Sequence, residues 1–79
     1  MDQSFTIDEL ELLYSVTHQC ILLNNHQLDN DTTITADTRN DIIDENKVAI
    51  KCWRKLRAAI SDLSPDTLKL LDEALPSFR

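Results

Sequence analysis

The chain reads as an all-α protein: two long helices forming an antiparallel hairpin, then a short C-terminal helix, with the whole oligomerising through coiled-coil-like packing. Three observations predict this. The 79 residues include no glycine and only two prolines, which argues against tight hairpins and phosphate-cradling loops, since both need unusual backbone angles. Apolar residues recur at helical spacing over long stretches. Recognisable capping residues stand where each stretch begins. Residues 1–79 are read as a single helical domain, the size class in which one core is marginal and self-association is a natural reinforcement.

The first helix is expected over about residues 7–25. Thr6 and Glu9 have capping-box spacing, and Phe5 and Leu10 are placed as a hydrophobic staple. Asp8 and Glu9 suit the positive end of the helix dipole. The polar Asn24 and Asn25 are expected to end it. At 100° per residue, Ile7, Leu10, Tyr14 and Ile21 form one apolar stripe, and Leu12, Leu13, Val16, Cys20 and Leu23 form another. Two stripes imply neighbours on two sides. These are either another subunit or the remaining helices of a three-helix fold.

Residues 26–35 are expected to form a loop, because Asp, Asn and Thr compete for backbone hydrogen bonds. Thr35 or Asp37 is placed to cap a second helix over about residues 36–62. This helix carries the strongest periodicity. Ile42, Asn46, Ala49, Trp53, Leu56, Ile60 and Leu63 are spaced alternately four and three residues apart, an a/d seam with one polar member. In the third helix, over about residues 65–75, Ser64 is the N-cap, Pro65 fits the first position, and Leu68, Leu71 and Leu75 share a face. Pro76 ends it. Residues 77–79 read as a loose tail whose Phe78 could fold back on the core.

Charge bounds the function. The net charge of −6 disfavours uniform binding to nucleic-acid phosphates. Residues 47–57 nevertheless hold Lys47, Lys51, Arg54, Lys55 and Arg57 without an acid, while the rest of the chain holds three bases and fourteen acids. The basic residues lie mainly opposite the seam. They are the candidate face for a partner or an anionic ligand, against the plainer reading of a solvated surface. Asp37, Asp41, Asp44 and Glu45 occupy the first half of the same helix. Two copies packed antiparallel would set acids against bases at both ends, with Ala49 near the crossing.

Catalysis and cofactors are not expected. Cys20 and Cys52 read as small buried hydrophobes of a reduced protein. His18 and Cys20 are two residues apart on a helix and point in different directions, which disfavours a metal site. Trp53 reads as a core residue or an interface anchor. Asn46 reads as a selector of register or oligomer state, or as a solvated residue at the open end of the seam. No basic leader or membrane-length apolar run is evident, so a cytoplasmic location is expected.

The favoured function is a non-enzymatic helical protein-interaction module, a homo-oligomeric adaptor, regulator or inhibitor of another macromolecule. Its partners would be itself and an unidentified protein. The oligomer interface is expected on Ile42, Asn46, Ala49, Trp53, Leu56 and Ile60, with Ile7, Leu10, Tyr14 and Ile21 secondary. The alternatives are nucleic-acid binding through the basic face, or an oligomeric binder of a small anionic ligand.

Overall fold

The computed structural model describes residues 5–78. Arg79, expected in the tail, lies outside them, as do residues 1–4. Three helices account for most of the described residues: α1 (Ile7–Asn30), α2 (Ala36–Leu63) and α3 (Pro65–Ala74). No strand occurs among the described residues.

Each helix starts where its cap places it. The Thr6 amide donates to Glu9 Oε1 at 2.9 Å and the Glu9 amide donates to Thr6 Oγ1 at 3.2 Å, so the capping box is complete. These bonds hold the Glu9 carboxyl below the usual carboxylate range. Thr35 accepts from the Thr38 amide at 3.1 Å and Ser64 from the Thr67 amide at 3.3 Å, with Pro65 in the first turn of α3.

Helix α1 does not stop at Asn24 or Asn25. It continues to Asn30 and shortens the connection to residues 31–35. Asn24 is buried, and both asparagines hydrogen-bond to Asn46 on α2, so their side chains are committed to tertiary contacts and do not cap. The helix ends instead at Asp31. Its carboxylate accepts from the Thr33 amide at 2.9 Å and hydroxyl at 2.6 Å, a local turn that competes with another helical turn. Helix α2 therefore exceeds α1 by four residues, 28 against 24, which is about one turn.

Cross-helix contacts fix the antiparallel register. Tyr14 stacks on Trp53, Cys20 bonds to Glu45, Asn24 bonds to Asn46, and Arg39 donates to the Leu28 carbonyl. From the Tyr14–Trp53 contact to the Leu28–Arg39 contact, residue number rises on α1 and falls on α2. The core is small: Leu10, Tyr14 and Ile60 form its centre, with Trp53, Leu56, Leu68, Leu71 and Leu75 packed around it. Ile21 and Ile42 are also buried.

The residues expected to build an oligomer are thus largely the interior of one chain. Leu10, Tyr14, Ile21, Ile42, Asn46 and Ile60 are buried, and Ile7, Ala49, Trp53 and Leu56 are half-buried. The seam of α2 meets the first stripe of α1, because a hairpin must bury one stripe from each helix before anything else. Cys52 also departs from expectation: it is exposed, while Cys20 is partly covered.

The molecule is thin and extended, 42 × 32 × 14 Å. Its radius of gyration is 14.5 Å, against about 11.6 Å for a compact chain of this length. The accessible surface of 5952 Å² exceeds the roughly 4,900 Å² expected of a globular monomer of 9.1 kDa.

Candidate functional site

Three side-chain groupings arise from this packing. The first is a polar layer inside the hairpin. Asn46 accepts from Asn24 Nδ2 at 3.4 Å and donates to Asn25 Oδ1 at 3.0 Å. It is 9% exposed, so it is not the solvated residue of an open seam end. It specifies register within one chain, because a slipped pairing would leave buried amides without partners. Asn24 also donates to Cys20 Sγ at 3.7 Å, and the Cys20 thiol donates to Glu45 at 3.7 Å. Burial, and then the Glu45 charge, push the Cys20 thiol pKa up. Cys20 is therefore held as a thiol, the unreactive form.

The second grouping is an aromatic clasp where α3 and the tail return to the hairpin. Trp53 Nε1–H donates to His18 Nδ1 at 3.2 Å, and His18 Nε2–H donates to the Pro76 carbonyl at 2.6 Å. These partners set the ring orientation, with Nδ1 accepting and Nε2 donating. Phe78 stacks on His18 at 4.3 Å and meets Trp53 edge-on at 5.4 Å. Arg57 lies 5.5 Å over the Trp53 ring, donates to Tyr14 Oη at 3.0 Å and holds Asp72 bidentately at 2.6 and 2.9 Å. That pairing raises the Arg57 pKa and holds the Asp72 carboxyl below the usual range. Arg57 thus leaves the basic face and becomes the fastening between α2 and α3. It forms the one ion pair found among the described residues.

The third grouping is external. The second stripe of α1 is open to solvent: Leu12 is 66%, Val16 58% and Leu23 68% exposed. Beside it runs a shallow groove whose walls include Val16, Cys20 and Leu23 from α1 and Glu45 from α2. A second groove on this side is walled by Leu13 and Thr17 from α1 and by Cys52, Lys55 and Leu56 from α2. Val48, 62% exposed, stands between Glu45 and Cys52 in helical spacing. The remaining bases, Lys47, Lys51, Arg54 and Lys55, are all exposed.

Sequence reasoning missed His18 and Asp72, and Leu10, Tyr14 and Ile21 of the α1 stripe it assigned to an interface are buried within the chain. For His18 a signal was present. It falls at Tyr14 plus four and Ile21 minus three, on the buried side of α1. For Asp72 no local signal existed, since its partner is 15 residues away across the α2–α3 junction.

No family model matches this sequence, and comparison with curated proteins and with solved structures finds no similar chain. Among the described residues no helix is long and apolar enough to cross a membrane, and no group of three His, Cys, Asp or Glu side chains is placed to hold a metal ion.

Proposed function

We propose that this chain is a non-enzymatic helical interaction module of the cytoplasm that self-associates and acts as an adaptor, regulator or inhibitor of another protein. One observation carries the reading: the second apolar stripe of α1, whose Leu12, Val16 and Leu23 are each more than half exposed. Exposed apolar residues scattered singly need no explanation, whereas a stripe beside a groove marks an interaction surface. The extended shape supports the same reading. A surface excess on the order of 1,000 Å² over a compact monomer is comparable to the ~800 Å² per partner of a standard interface.

The grooves are shallow and combine aliphatic side chains with polar ones such as Gln19, Gln27 and Glu45, a form suited to a packed helix more than to a reacting small molecule. The test is sedimentation velocity on the wild-type chain and on V16E/L23E. Both substitutions are at exposed positions, so helix content by circular dichroism should be unchanged while self-association is lost. A V16E/L23E chain that associates as strongly as wild type would remove α1 as the surface.

The four exposed bases on α2 favour a second reading, a face for phosphates. Retention on nucleic acid or a polyanion at low salt, lost in K51E/K55E and falling steeply with salt, would support it.

A further inference from the structure

The charged residues beside the apolar stripe are ordered in a way that identifies what covers it. On α2, Glu45 and Lys55 line the grooves, and Asp41, Val48 and Lys51 are exposed at neighbouring positions of the same helix. Asp41 and Lys55 stand seven residues either side of Val48, and Glu45 and Lys51 stand three either side. Both of these acids are matched by a base at the same distance on the other side of one apolar residue, while the exposed Asp44 is matched by Cys52. All five are exposed, and none takes part in the ion pair found among the described residues.

This is the pattern a helix needs in order to pack antiparallel on a copy of itself, because reversal about Val48 exchanges Asp41 and Glu45 for Lys55 and Lys51. Helix α1 fits the same operation. Cys20 lies level with Val48, since it bonds to Glu45 on one side of Val48, while Thr17 shares a groove with Cys52 on the other. Reversal about Cys20 brings Leu13 and Val16 of one copy near Gln27 and Leu23 of the other. The seam itself cannot serve, because its residues from Ile42 to Ile60 are buried or half-buried in the hairpin.

We propose that a second copy of this chain covers this face, related by a two-fold axis passing beside Val48 and Cys20. The product is a four-helix bundle in which α2 lies antiparallel to its mate and α1 to its own. The proposal rests on the self-association reading above and adds its geometry. It moves the crossing from Ala49, which faces inward, to Val48. Apolar contact supplies the affinity, and the charge pairs select the antiparallel orientation against the parallel one, in which like charges would meet.

Charge swapping tests it. In K51E/K55E every pair across the axis becomes acid against acid, and in D41K/E45K base against base. Each variant alone should dissociate about tenfold or more readily than wild type at low salt. An equimolar mixture should recover a heterodimer near wild-type strength, because the two altered faces complement each other. A second measurement is independent of charge. In a C20S/C52S background, V48C should be cross-linked to its mate by a short bis-maleimide, and A58C, remote from the axis, should not. If wild type self-associates but the mixture shows no recovery and V48C does not cross-link, the two-fold at Val48 is wrong while self-association stands. If wild type is monomeric at all attainable concentrations, both are wrong.

Discussion

Asn46 shows how one polar residue in an apolar seam can specify a hairpin. Its amide both donates and accepts across the helix pair, so truncation leaves Asn24 and Asn25 with unmet groups. N46A should therefore destabilise the fold by about 1–3 kcal/mol, read as a lower urea midpoint. Replacing the pair together, N24L/N46L, should cost less than N46A alone, because the cost lies in the orphaned partner more than in the bond itself. Asp72 offers a pH-dependent counterpart. Arg57 holds its folded-state pKa below the unfolded value, so its stabilisation is present above about pH 4 and is lost as pH falls through the folded pKa. Both members are more than a third exposed, so the pair contributes under about 1 kcal/mol. The stability gap between wild type and D72N should be measurable at pH 7 and should close as the pH falls through the folded-state pKa of Asp72. What was legible at this scale was residue type and phase. Trp53 and Asn46 stood out because they occupy a/d positions. His18 was hidden because its polarity disguised its place on the buried side of α1, and the Arg57–Asp72 pair exists only once α3 has folded back.

The elements were more legible than their ends. Every N-terminus was marked by a hydroxyl cap, since such a cap is a local bond between residues three apart. The end of α1 was not, because Asn24 and Asn25 can terminate a helix or bridge to a neighbour, and only the facing Asn46 decides which. Element α3 is held mainly by side chains beyond its own short span. It has no fully buried residue, and a ten-residue helix is marginal in isolation. Its attachment depends on the Leu68, Leu71 and Leu75 face and on the clasp of His18, Trp53 and Phe78. F78A should thus loosen α3 without unfolding the hairpin. The loss of two aromatic contacts at about 0.5–1.5 kcal/mol each should appear as a red-shifted Trp53 emission and faster amide exchange in α3.

At the scale of the whole molecule, the hairpin leaves an imbalance. Helix α1 carries two apolar stripes and the chain has material to cover only one. Both stripes were visible in the sequence, but which of them faced inward was not, because either could pack against the α2 seam. The structure buries Leu10, Tyr14 and Ile21 and leaves Leu12, Val16 and Leu23 in solvent. The same seam that was expected to join subunits is consumed in joining α1 to α2. The proposed second copy would restore the balance by covering the outer stripe. The most direct test is the solution mass of the unmodified chain by sedimentation equilibrium across a range of concentrations. A species of about twice the 9.1 kDa chain mass, dissociating on dilution by mass action, is expected. A single 9.1 kDa species at every concentration would contradict the assembly on which the proposed function depends.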